Sequence, residues 1–226
     1  MKKVRIWDLP IRLFHWSLVA LIVVLVVTQE IGGNAMEWHF RAGYAVLALI
    51  AFRILWGLTG TRYARFSSFI YSPSTILAYV RDHKQALKAR YLGHNPLGSL
   101  SVFALLANLL AQAVSGLFSN DDIANDGPLV KFISKDLSDQ ITWFHKEVSA
   151  TLLYVLVALH VAAIAYYYFR KKQNLVRPMI TGDQLVDLDA PTANDSWLMR
   201  MLALMLLALC AVGVYYVVNL SPQPLA

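Results

Sequence analysis

Four of the six histidines in this 226-residue chain lie where histidine is costly, inside or at the end of long apolar stretches. They are His15, His39, His145 and His160. A neutral imidazole offers one lone pair to a metal and one N–H to a neighbour, so a ring buried among apolar side chains demands partners. His145 and His160 stand 15 residues apart. On an ideal α-helix that spacing is ~22 Å of rise and ~60° of net rotation, which places both on roughly one face near opposite ends.

The elements that carry these rings read as membrane crossings. Apolar residues make up 58% of the chain and the mean hydropathy is +0.50, above the range of ordinary soluble domains. Five stretches reach the ~20 apolar residues that a bilayer core requires. They are residues 11–28, 40–58, 97–118, 143–169 and 197–219. No small-residue cleavage site follows the first, so it is expected to be retained rather than removed as a signal. The single cysteine, Cys210, excludes an intrachain disulfide framework and a CxxC or CxxCH motif.

Positive charge sets the expected orientation. Lys2, Lys3 and Arg5 precede the first crossing; Arg62, Arg65, Arg81, Lys84, Lys88 and Arg90 lie between the second and third; Arg170, Lys171, Lys172 and Arg177 follow the fourth. These segments are expected in the cytoplasm. The loop 119–142 carries Asp121, Asp122, Asp126, Asp136 and Asp139 against Lys131 and Lys135, and is expected outside. Five crossings then put the N-terminus in the cytoplasm and the tail SPQPLA on the outer side. The net charge of +6 follows from the cytoplasmic loops, so no nucleic-acid partner is called for. The six tryptophans fall near crossing ends, as in an interfacial belt contacting lipid headgroups.

This topology sorts the four histidines into two levels. The first crossing runs outward and the fourth inward, so His15 and His160 both lie toward the cytoplasm. His39 and His145 each begin an inward-running helix and share the outer level. Two neutral imidazoles from different helices can ligate one haem b iron from both sides, leaving no open position and suiting the centre to one-electron transfer. Two pairs imply two haems. Zinc would ask for four ligands in one place, and each level offers two histidines. Gly43 and Ala163, one turn from His39 and His160, leave room for a flat macrocycle or for helix packing alike. Arg12, Arg41, Arg53 and Lys146 are candidate partners for the propionates, Arg53 standing out for its depth in the second crossing; snorkelling is the alternative for it. His83 and His94 lie in the 59–96 connection and are expected to be solvated or capping, with Asn95 capping the third crossing and Pro96 in its first turn.

The segments VRIWDLPIRLFHW, WHFRAGYAVLALIAFRILWGLTGTRYARF, YLGHNPLGSLSVFALLANLLAQAVSGLF, DDI, and HKEVSATLLYVLVALHVAAIAYY followed by NLVRPMITG resemble the bacterial cytochrome b561 family over residues 4 to 184. That family includes b-type subunits of nickel-iron hydrogenases. The resemblance implies an all-α membrane protein: a four-helix transmembrane bundle with two bis-histidine haems, ligated by His15 and His160 on the cytoplasmic side and by His39 and His145 on the outer side. The fifth crossing departs from the pattern, so residues 1–184 are read as the dihaem core and 185–226 as a linker with an additional transmembrane helix, open to packing, partner recruitment or homodimer contact. The resemblance further implies a bacterial inner-membrane protein exchanging electrons between the quinone pool, ubiquinone or menaquinone, and a redox partner. Quinol to a periplasmic c-type cytochrome is the leading expectation; a hydrogenase anchor and a superoxide:quinone oxidoreductase are the alternatives from the family. A non-haem proton-coupled transporter is the alternative from the residues alone. Glu30, Glu37 and Glu147 near the outer helix ends are candidate proton acceptors; no catalytic residue is assigned.

Overall fold

The computed structural model describes residues 2–81, 91–123, 125–186 and 190–220. In chain order it has β1 (Lys2–Arg5), α1 (Leu9–Ile31), α2 (Met36–Thr59), α3 (Pro73–Arg81), α4 (Pro96–Gly116), α5 (Lys135–Trp143), a π-helical turn (Phe144–Ser149), α6 (Ala150–Phe169), α7 (Val176–Thr181), β2 (Asp183–Val186) and α8 (Trp197–Val218). Five helical spans are long and apolar enough to cross a membrane: Leu9–Ile31, Gly33–Thr59, Pro96–Gly116, Lys135–Phe169 and Trp197–Val218. They coincide with the five stretches read from the sequence, and the chain is a multi-pass helical membrane protein. His83, Lys84, Lys88, Arg90 and the tail 221–226 lie outside the described residues.

Local chemistry starts these helices where they start. The Asp8 carboxylate accepts the Ile11 N–H at 2.7 Å and Pro10 occupies the first turn of α1, where its missing N–H costs nothing. Asn95 Oδ1 accepts the Gly98 N–H at 2.8 Å and caps α4 as expected. Ser134 caps α5 through the Leu137 N–H. Gly182 closes α7 in the left-handed region at φ 87°. A Cβ there would come within 2.7 Å of the Trp7 carbonyl oxygen, so both conformation and space require glycine.

The chain divides into two compact units, one of Met1–Phe14, Arg53–Leu105 and Leu156–Met205, the other of His15–Phe52, Leu106–Val155 and Leu206–Ala226. In the first, β1 and β2 pair antiparallel from Lys2 opposite Val186 to Arg5 opposite Asp183. Arg5 bridges Asp183 and Asp195, each at 2.5 Å. Asp195 also accepts the Leu9 N–H at 3.1 Å and pairs with Arg200 at 3.0 Å. Ala193 N–H donates to the Arg5 carbonyl and the Tyr63 hydroxyl to the Pro191 carbonyl, both at 2.7 Å. Much of the stretch read as a linker is thus fastened to the N-terminus. In the second unit, Leu109, Leu117, Leu129 and Leu153 are buried, while Asn120 hydrogen-bonds Ser138, Asp139 and Thr142.

The hydrogen bond from Arg5 holds the Asp183 carboxyl below its ordinary value of 3.8. A depressed folded value means that this stabilisation is complete above the unfolded value and is lost as pH falls through the folded one. Asp183→Asn at neutral pH should reproduce the acid effect: amide exchange in residues 2–5 and 183–186 rises roughly fivefold, the equivalent of about 1 kcal/mol for a partly exposed ion pair. Unchanged exchange in that variant would reduce the pair to surface decoration.

Candidate functional site

The second unit brings His39 and His145 together. A glycine pair at positive φ, Gly32 at 65° and Gly33 at 51°, reverses the chain between α1 and α2, and His39 falls in the first turn of α2. Its Nδ1–H donates to the Leu25 carbonyl at 3.0 Å, with the Thr28 hydroxyl 3.5 Å away. His145 lies in the π turn, and its Nδ1–H donates to the Gln112 carbonyl at 3.0 Å. The Ser115 hydroxyl donates to that same carbonyl and stands 3.1 Å from Nδ1. The two imidazole centroids are 6.5 Å apart with planes at 77°.

These features fit a shared metal centre. Two metal–imidazole bonds of about 2 Å plus ring radii of about 1.1 Å put ligand centroids roughly 6.3 Å apart. Both rings commit Nδ1–H to a backbone carbonyl, which fixes the tautomer and leaves the lone pair on Nε2, the atom a metal would take. The side-chain amide of Gln112 lies 3.2 Å from His145 Nε2, so ligation requires that amide to turn away. A Cβ on Gly43 would meet nothing within 4 Å, which agrees with open space one turn from His39. A Cβ on Gly116 would press on His145 Cε1 at 3.1 Å; glycine here lets the ring lie against α4. Among the described residues no group of three or more His, Cys, Asp or Glu is placed to hold a metal ion.

The π turn corrects the ideal-helix spacing. The Ala150 N–H donates to the His145 carbonyl, an i→i+5 bond, so about one extra residue is absorbed before α6 begins. The effective separation of His145 and His160 is then about 14 residues, or ~40° in the opposite sense to the ideal value and ~21 Å of rise.

His15 belongs to the second unit, half-buried with its ring edge-on to Trp16 at 5.1 Å. His160 is half-buried on α6 in the first unit. The three arginines differ sharply. Arg53 is 4% exposed, lies over the Phe66 ring at 4.7 Å, and has a buried Nη1 with no hydrogen-bond partner among the described residues. Arg12 donates from one arm to the Ile180 carbonyl at 2.6 Å, and its buried Nε has no such partner. Arg41 is exposed, paired with Glu37 at 2.5 Å in an i,i+4 arrangement and stacked over Trp38.

His94 differs from its expectation. It is not solvated: its ring packs between Trp7 at 4.9 Å and Phe69 at 4.5 Å, and its Nδ1 is sealed from solvent without a partner among the described residues. Burial first, then the charges of Arg53 and His160 beside it, push its pKa down to about 3, so the ring is neutral at physiological pH. Nearby, Asp8 is 1% exposed and accepts from Trp56 Nε1 at 3.2 Å and from the Thr61 hydroxyl as well as from Ile11. No local pattern marks either residue, because the groups around each come mostly from distant segments.

Comparison with known proteins assigns the chain to a class. The profile of prokaryotic cytochrome b561 matches residues 6–182, and the chain belongs to that family. It is a b-type cytochrome of the membrane, a haem protein of electron transport. It is 25% identical over 223 residues to the probable Ni/Fe-hydrogenase B-type cytochrome subunit of Azotobacter chroococcum mcd 1, covering 83% of this chain and 91% of that protein. The proteins of the same description from Azotobacter vinelandii, 26% identical with 83% and 91% covered, and Bradyrhizobium diazoefficiens, 24% identical with 80% and 85% covered, are similar at the same level. No solved structure matches the chain significantly.

Proposed function

We propose that this chain carries two haems b and passes electrons between the membrane quinone pool and a hydrogenase. The observation that carries the proposal is the His39–His145 pair, two rings at bis-histidine spacing whose Nδ1–H groups are both engaged by carbonyls. His15 and His160 are the proposed ligands of the second haem; the topological levels and the family resemblance support them. The names of the relatives favour a hydrogenase over the c-type cytochrome that the sequence put first. Asp122 and Asp139 both pair with Lys135, which reduces the acidic field a basic cytochrome would meet. The b-type assignment displaces the non-haem transporter.

His39 and His145 would hold haem b, which would supply reversible one-electron chemistry. The protein's part is positional. Leu25 and Gln112 carbonyls hold the outer rings, and charge-assisted bonds from Arg53 and Arg12 are available to propionates, the two arginines of the three that keep a buried N–H without a partner among the described residues. Arg41, occupied by Glu37, has the weaker claim. Glu37 is likewise engaged, which leaves Glu30 and Glu147 as the candidate proton acceptors. Ubiquinone or menaquinone is the proposed membrane substrate, and the bacterial inner membrane with a cytoplasmic N-terminus and periplasmic C-terminus the proposed setting. Residues 1–184 are proposed as the dihaem core and 185–226 as the appended part.

The test is a reduced-minus-oxidised spectrum of the purified protein with haem counted per chain. Two low-spin haems b, reduced by quinol or by hydrogen with the hydrogenase present, are expected. One haem per chain would remove the dihaem reading, and two haems that neither donor reduces would remove the quinone and hydrogenase roles.

A further inference from the structure

Of the four crossings proposed as the dihaem core, α4 supplies no proposed ligand, yet it lines one side of the His145 ring. His145 stands in the π turn, and α4 meets it with the Gln112 carbonyl at Nδ1, the Ser115 hydroxyl beside the same atom, the Gln112 amide at Nε2, and Gly116, where an added Cβ would press on Cε1. One turn before Gln112 on the same helix is Asn108. It is 7% exposed, and amide side chains in apolar surroundings are costly unless paired. Its Nδ2–H donates to the Ser149 carbonyl at 3.0 Å, and the Ser149 hydroxyl returns a bond to Asn108 Oδ1 at 3.2 Å. Ser149 is 0% exposed and is the last residue of the π turn, where the helix returns to α geometry.

The register of His145 depends on that turn. A relaxation of Phe144–Ser149 to plain α-helix would rotate everything on its N-terminal side by ~100° relative to α6. With α6 fixed, the imidazole would leave the Gln112 carbonyl and its seat on Gly116. A π turn is less favourable than the α geometry on either side of it and needs a tertiary partner to persist. The reciprocal Asn108–Ser149 pair is that partner, since it ties the end of the turn to the same helix that receives the ring.

We propose that Asn108 is a positioning residue for the His39–His145 haem: by bonding Ser149 it holds the π turn, and the π turn aims His145. The inference rests on the dihaem reading above. It is tested in the full-length holoprotein with Asn108→Leu, which keeps the volume and removes both bonds, and Ser149→Ala, which removes one. Two readouts are used: amide exchange across residues 144–150, which does not depend on haem, and the low-spin electron paramagnetic resonance signal and haem release rate of each haem separately. Asn108→Leu is expected to speed exchange across the turn at least tenfold, alter the signal of the haem that His145→Ala removes, and speed its release about 10-fold, in the range seen when groups supporting a metal ligand are lost. Ser149→Ala should do the same more weakly, and the other haem, the internal check on folding, should keep its signal.

Unchanged exchange in Asn108→Leu overturns the proposal outright. Equal disturbance of both haems in both variants also overturns it, because that is general packing. If exchange rises as expected but His145→Ala removes no haem, the ligand assignment fails while the hold on the π turn stands.

Discussion

His145→Ala and His39→Ala are each expected to yield a protein with one haem b per chain instead of two, and the same haem should be missing from both. The reason is geometric. The proposed bis-histidine centre, with 6.5 Å between rings, has no spare donor of comparable strength: among the described residues no third His, Cys, Asp or Glu completes a metal-binding group there. Loss of one ring leaves a single imidazole. Haem count and difference absorbance should fall by about half, and the remaining haem should be the one that His15→Ala or His160→Ala removes. The decisive comparison is between spectra rather than totals. If His39→Ala and His145→Ala spared different haems, the pair would be wrong however well each protein folded. A control is available in Gly116, where any side chain presses on Cε1 of His145 and should disturb the same signal with both proposed ligands retained.

The crossings were legible because each is a long apolar run whose physics is local: a bilayer demands length and hydrophobicity, and both are written in sequence. The four histidines stand out in the sequence for the complementary reason, that a polar ring is costly in such a run. What escaped was set by tertiary context. Lys2–Arg5 and Asp183–Val186 are too short to show strand periodicity, and they find each other across most of the chain. His94 looked like a loop residue, and only the fold puts Trp7 and Phe69 on either side of it. The π turn has no periodic signature, so the ideal-helix angle between His145 and His160 was taken from a geometry the helix does not keep. Arg41 is different, since Glu37 stands four residues before it in the sequence. That i,i+4 spacing favours the observed ion pair and was readable beforehand.

Asp8→Ala is expected to be the most destabilising single substitution in the first unit, at roughly 3–5 kcal/mol, because several buried donors lose the acceptor they share. The carboxylate is 1% exposed and accepts from the Ile11 N–H, Trp56 Nε1 and the Thr61 hydroxyl. Truncation leaves three donors without an acceptor in a region water does not reach, and each such donor costs about 1–3 kcal/mol before relaxation. It also removes the anion that stabilises the charge on Arg53. For a chain of this size the loss corresponds to a fall in melting temperature of about 10 °C in detergent, with ordinary helix content below the transition. Asp8→Asn, which keeps an acceptor and loses the charge, should fall less. The charge contribution is isolated by Arg53→Met: added to Asp8→Ala, it should recover part of the lost stability, because the buried cation that has lost its neighbouring carboxylate is then gone. Additive losses in that double variant would assign Asp8 to helix capping and to the Trp56 and Thr61 bonds alone. A melting temperature for Asp8→Ala within about 2 °C of the parent would mean that the carboxylate is not the acceptor these three donors share.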